Sequence, residues 1–237
     1  HPLMKHFLFD IDGTLTPARS KIDKEFQKFF ADWVTYQKGQ GNEVFLVTGS
    51  DKVKTIEQIG LSLYRHVNGV YQNSGNQLFI RNSLIKQSEW QIPAHLRLDV
   101  LIRLERSPWY GRASINIEER IGSVNISSVG RAASKELREK YYQWDCKEKE
   151  RQSIIEYLSI RYPRLDFAIG GEISIDIYPK GKDKSQVLND MLEKQNTIFF
   201  GDRCEIGEND YTIYSKAARG HSVKSFKETE CVIKSYY

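Results

Sequence analysis

Three short apolar runs read as buried strands: the run in Lys5-His-Phe-Leu-Phe-Asp10, which ends in a carboxylate, then Glu43 to Val47 and Thr197 to Phe200. Helical periods lie between them. Behind Asp23 as a cap, Phe26, Phe29, Phe30, Trp33 and Val34 recur at helical spacing, and Gly39-Gln-Gly41 ends the run. Ser50 or Asp51 caps the next predicted helix, whose inner face is Val53, Ile56 and Ile59 and whose stop is Gly60. A further helix starts at Asp183 or Ser185 and runs through Val187, Leu188 and Met191. Gly220-His-Ser-Val223 gives a last short strand before a helical end. Strands alternating with helices predict an α/β fold with a parallel sheet, whose ligand crevice opens at the carboxyl ends of the strands.

From about Arg81 to Pro179 the pattern changes. Strand-like pieces follow one another at Ser114–Ile117, Ser123–Ile126, Leu165–Ile169 and Ile173–Tyr178, with a helix over roughly 147–161 and a hairpin turn at Gly170-Gly171. Ile173, Ile175 and Ile177 share one strand face, Ser174, Asp176 and Tyr178 the other. The chain therefore divides into a core of 4–81 and 182–237 and an inserted α+β domain of 82–181, a division that 237 residues accommodate.

The candidate chemistry sits at strand ends. Asp10 and Asp12 close the first strand and point the same way if the extended form persists, and Gly13 then permits a turn. Such a pair suits nucleophilic and acid/base work. A plain turn or half a calcium loop are the bland readings, and Leu15, Pro17 and Ala18 supply none of the oxygen ligands that a calcium loop needs. Thr48-Gly-Ser50-Asp51, between a strand and a helix, makes an anion site from backbone N–H groups and a hydroxyl. Asp202, with Glu205, Glu208 and Asp210 following, is a second acidic strand end and suits Mg²⁺.

Phe-Asp-x-Asp-Gly-Thr-Leu-Thr resembles the first motif of the haloacid-dehalogenase (HAD) superfamily of phosphotransferases. Val47-Thr-Gly-Ser-Asp51 with Val53 to Gly60, Glu119 to Arg131, Ser134 to Arg138, Asp145 to Lys149 and Gly170 to Lys184 resemble eukaryotic-type phosphomannomutases over nearly the whole chain. The resemblance implies a Rossmann-like core with an α+β cap, and interconversion of mannose 6-phosphate and 1-phosphate on the way to GDP-mannose, through an aspartyl-phosphate primed by hexose 1,6-bisphosphate. It makes Asp10 the nucleophile, Asp12 the acid and base, and Lys184 the group that offsets charge. Mg²⁺ falls to Asp10, the main-chain carbonyl of Asp12 and Asp202, and substrate to Arg19, Ser50, Arg120, Arg131, Arg138, Ser174 and Asp176. It further implies a homodimer through the cap, although Asn116 stands where the family has an interface Phe. Thr48 replaces a family Gly, and Lys216, near Tyr214, stands where relatives place an acid for a second cation. A Mg²⁺-dependent sugar-phosphate phosphatase and a silent sugar-phosphate sensor remain the alternatives.

Composition sets the rest. A hydrophobic fraction of 40% fits an ordered globular protein, and a net charge of +4 is too mild and dispersed to imply nucleic acid. Cys146, Cys204 and Cys231 lack zinc-type pairing and read as free thiols of a reducing cytoplasm. No run spans a bilayer and no signal peptide precedes the first strand, while His1-Pro2-Leu3 ahead of Met4 reads as a remnant outside the fold.

Overall fold

A computed structural model describes residues 3–237; His1 and Pro2 of the expected remnant lie outside the described residues. The chain forms two compact units, one built from the residues up to 87 and from 182 onward, the other from Ser88–Gly181.

The larger unit runs β1 (His6–Phe9), α1 (Lys24–Gly39), β2 (Glu43–Val47), α2 (Lys52–Ile59), α3 (Leu61–His66), β3 (Gly69–Gln72), β4 (Gln77–Ile80) and β5 (Ser83–Gln87). The smaller unit follows with α4 (Ala94–Glu105), β6 (Ile117–Arg120), β7 (Ser123–Ile126), α5 (Lys135–Glu148), α6 (Glu150–Arg161), β8 (Leu165–Gly170) and β9 (Ser174–Pro179). The chain then completes the larger unit with β10 (Thr197–Gly201), α7 (Tyr211–Lys216), β11 (Arg219–Ser222) and α8 (Phe226–Ile233).

The seven strands of the larger unit lie in the order β11-β10-β1-β2-β3-β4-β5, parallel as far as β3 and antiparallel beyond it. Because β5 pairs with β4, the sheet extends past the expected boundary at Arg81. Side-chain alternation along β1 feeds two cores. Phe7 and Phe9 pack with Phe30, Trp33 and Phe200 on one face, Leu8 with Phe45, Tyr71 and Phe199 on the other. Phe9 stacks on Phe200 of the adjacent strand at 4.5 Å, and the indole N–H of Trp33 reaches the Ile233 carbonyl at 2.9 Å. Each such buried side chain contributes about 2 kcal/mol. Burial on both faces holds the end of β1 rigid, where the first carboxylate follows.

In the smaller unit four antiparallel strands run in the order β6-β7-β9-β8. Ile175 and Ile177 pack with Leu96, Val100, Ile154 and Leu158 from α4 and α6, whereas Ile173 joins Trp109, Val129 and Tyr141. Four local expectations change. The first cap strand starts at Ile117, after Ile115 has taken a left-handed backbone at φ 65°. The helix expected over 147–161 begins at Glu150, because Lys149 at φ 57° breaks it from α5. Lys184–Asp190 winds as a 3₁₀ segment rather than an α-helix, with Asp183 accepting from the Ser185 N–H at 2.8 Å. Val53 is 69% exposed while Thr55 and Gln58 are buried, so α2 turns a partly polar face inward.

Candidate active site

Asp10 directly follows β1, and its N–H donates to the Phe200 carbonyl of β10 at 2.9 Å, which ties the residue between the two central strands. Its side chain is buried. Lys184, itself buried, donates to Asp10 Oδ1 at 2.8 Å and to Asp210 Oδ1 at 2.7 Å. Thr14 Oγ1 approaches Asp10 Oδ2 at 3.4 Å. Asp202 lies over Gly13: at φ +78° a Cβ there would fall 2.2 Å from Asp202 Oδ2, so only glycine fits both the backbone and the carboxylate. Oxygens of Asp10, Asp202 and Asp210 lie within 4.8 Å of one another.

Asp12 is held apart from this cluster. Its Oδ1 accepts from the Arg19 N–H at 2.5 Å and from Gln58 Nε2 at 3.1 Å. Both bonds fall on one oxygen and fix the side chain through the loop that follows β1 and through α2.

Three carboxylates against one ammonium leave the cluster two negative charges in excess. Burial is the main reason the Asp10 carboxyl titrates well above the ordinary carboxylate range, with Asp210 adding and Lys184 opposing. Burial likewise raises Asp202, and Asp210 adds to it. For Lys184 burial acts downward, but Asp10 and Asp210 outweigh it and the ammonium stays charged. The cluster thus calls for a proton or a cation. An all-oxygen set of hard donors, cradled over a residue with no Cβ, fits a divalent hard cation such as Mg²⁺.

Ser50 stands half-buried at the end of β2, where its N–H donates to Thr48 Oγ1 at 3.1 Å and its carbonyl accepts from Gln72 Nε2 at 2.8 Å. Arg19 is exposed in the loop that holds Asp12.

A second constellation forms within the smaller unit. Arg131 donates to Asn125 Oδ1 at 3.1 Å and to Ser174 Oγ at 3.3 Å. Arg120 lies 3.7 Å from Asp176, whose Oδ1 accepts from Asn125 at 2.8 Å. Glu118 pairs with both Arg120 and Arg131. Arg138 donates to the carbonyls of Ala133 and Arg131, so its guanidinium supports the backbone at Arg131. Sequence reasoning grouped the three arginines with Ser174 and Asp176, and it missed Asn125, Glu118, Gln58 and the pairing of Asp210 with Lys184. Polar residues on buried faces were the available signal for Gln58 and Asn125.

The family model of eukaryotic phosphomannomutase matches residues 34–237. The phosphomannomutase of Galdieria sulphuraria is 33% identical over 235 residues, covering 94% of this chain and 90% of that protein. The chain belongs to the eukaryotic phosphomannomutase family. The phosphomannomutase of Saccharomyces cerevisiae is similar at 32% identity over 233 residues, with 94% and 90% coverage. In fold, a sugar phosphatase of HAD subclass IIB superposes at a TM-score of 0.58 and 16% identity, covering 96% of this chain and 91% of that one. The protein is thus a phosphomannomutase-like phosphotransferase with an α/β HAD fold.

The three residues that the resemblance set apart each have a partner in the structure. Thr48 uses its hydroxyl on the Ser50 N–H. Asn116 donates its amide to the Ser127 carbonyl at 2.8 Å. Lys216 directs its ammonium toward Ser185 Oγ at 3.5 Å. Among the described residues no helix is long and apolar enough to cross a membrane, and all three cysteines are free thiols.

Proposed function

We propose that this phosphomannomutase-family chain interconverts mannose 6-phosphate and mannose 1-phosphate through a phosphorylated Asp10 and a hexose 1,6-bisphosphate. The observation that carries the reading is the buried Asp10 carboxylate, which has Lys184 on one oxygen and Asp202 and Asp210 beside it. Lys184, and a divalent cation held with Asp202, would supply the positive charge without which this carboxylate could not approach a phosphate anion.

Asp10 attacks phosphorus in line and expels the sugar oxygen, giving an aspartyl-phosphate. Asp12 protonates the leaving oxygen and later takes the proton from the incoming hydroxyl. Its Oδ1 is occupied by Arg19 N–H and Gln58, so the proton is assigned to Oδ2. Lys184 stays charged and offsets the negative charge that builds on Asp10. Ser50 and its turn bind a phosphoryl oxygen, and Arg19 adds positive charge at the loop. Asp10, Asp202 and the main-chain carbonyl of Asp12 would hold Mg²⁺. When bound, that ion screens the carboxylate from the phosphate.

Arg120 and Arg131, with Arg138 behind them, bind the phosphate that is not reacting, because guanidinium grips phosphate in bidentate fashion without a metal. Ser174 and Asp176 bond sugar hydroxyls. Incubation with ³²P-labelled hexose 1,6-bisphosphate tests the assignment. Acid-quenched parent protein should retain label that neutral hydroxylamine removes, and a folded Asp10→Asn protein should retain none. Equal labelling of both would overturn Asp10 as nucleophile.

A further inference from the structure

Glu118 occupies the place between Arg120 and Arg131. Its Oε1 lies 2.7 Å from Arg120 Nε, and its Oε2 lies 3.3 Å from Arg131 Nε. One carboxylate thus divides its two oxygens between two guanidiniums, the arrangement by which a phosphate would use two of its own. Backbone register produces this. Glu118 and Arg120 stand two positions apart on β6 and share a face, while Arg131 reaches the same face from beyond β7. Glu119 points the other way and pairs with Arg97 of α4 at 2.7 Å, so it cannot take over the role.

We propose that Glu118 is a resident anion: it holds the distal-phosphate seat while that seat is empty and gives way when phosphate arrives. The proposal rests on the reading of Arg120 and Arg131 as phosphate-binding groups. Side-chain exposures of 38% for Glu118, 35% for Arg120 and 29% for Arg131 leave these pairs open to solvent, so they exchange partners at little cost. A phosphate dianion carries more charge and a third oxygen, and displaces the carboxylate. While the seat is empty, Glu118 keeps two like charges from repelling each other and presets their spacing. Its return lowers the affinity for the bound phosphate, which speeds release. An intermediate that has to leave the seat and come back reversed needs that property. The carboxylate also sets a threshold that singly charged anions do not pass.

Isothermal calorimetry of mannose 1-phosphate binding to the Mg²⁺-loaded full chain tests this. Glu118→Gln keeps the shape and removes the charge, and should bind about three- to tenfold tighter, the scale of one or two partly exposed ion pairs. Arg131→Ala, the control, should bind more weakly. A residue with a merely structural role would lose affinity together with melting temperature, whereas tighter binding at an equal or lower melting temperature identifies a displaced competitor. Glu118→Asp, too short to span both guanidiniums, should show a smaller gain and serves if Glu118→Gln does not fold. If Arg131→Ala weakens binding but neither Glu118 variant tightens it, the resident-anion proposal is overturned and the phosphate seat stands. If Arg131→Ala leaves affinity unchanged, the seat itself is misassigned.

Discussion

Lys184 donates to Asp10 at 2.8 Å although 174 positions separate the two residues, and the same ammonium holds Asp210 at 2.7 Å. The inserted unit lies between them in sequence, so the two separate segments of the larger unit must come together before the charge balance of the site exists.

Removing the cation should therefore damage the fold as well as the chemistry. Lys184→Met leaves two buried carboxylates without their partner, and should cost about 3 kcal/mol by urea unfolding as well as nearly all turnover. Asp210→Asn keeps the shape, removes one negative charge from the cluster and weakens the second partner of Lys184. Turnover in that variant should fall about 10–100-fold in a folded protein. Unchanged stability in Lys184→Met would show that the three groups do not act as one cluster.

Gly13 links backbone geometry to the placement of Asp202. In Gly13→Ala the new Cβ would lie 2.2 Å from Asp202 Oδ2 at φ +78°, so the turn or the carboxylate must move. The strain should cost about 1–2 kcal/mol. The Mg²⁺ concentration for half-maximal activity should rise about tenfold or more, as for other displaced ligand shells. EDTA should silence the parent enzyme and Mg²⁺ restore it. Full activity after exhaustive chelation would contradict the cation assignment.

The strand-end carboxylates were legible because each follows a short apolar run: Asp10 after Phe7-Leu-Phe9, Asp202 after Ile198-Phe-Phe200. The partners of these residues were not, because a contact such as Lys184 with Asp210 or Gln58 with Asp12 has no local period. On α2 the apolar pattern pointed to Val53, yet the inward face carries Thr55 and Gln58, which bond Gln72 and Asp12. Site geometry overrode hydrophobic patterning there. Along Lys135–Glu148 only Tyr141 and Asp145 are buried, so that helix shows almost no apolar stripe to read. Its end was hidden as well, since a lysine rather than a glycine takes the left-handed position at 149.

His221 predicts a pH dependence of stability. Burial first, then Arg219, holds its imidazole below the ordinary value, against Phe200 and with Nε2 on the Tyr236 hydroxyl at 2.7 Å. The unfolded chain then binds more protons than the native one just below about pH 6.5. Its stabilising share is complete above that pH and is lost as pH falls through the lower native pKa. Urea midpoints at pH 7.5 and 5.5 should differ more for the parent than for His221→Gln. An equal difference in both would remove His221 from the account.

Transfer between sugar oxygens rather than to water sets a mutase apart from a phosphatase, and one assay reads it directly. Mannose 1-phosphate is supplied with Mg²⁺, with and without a trace of hexose 1,6-bisphosphate, and mannose 6-phosphate and inorganic phosphate are scored in the same reaction. Every loss of phosphate from Asp10 to water strands an unprimed enzyme, so turnover should depend on the bisphosphate and yield mannose 6-phosphate with little free phosphate. Inorganic phosphate released as fast as mannose 1-phosphate disappears, whether or not the bisphosphate is present, would contradict the mutase reading and leave a sugar-phosphate phosphatase.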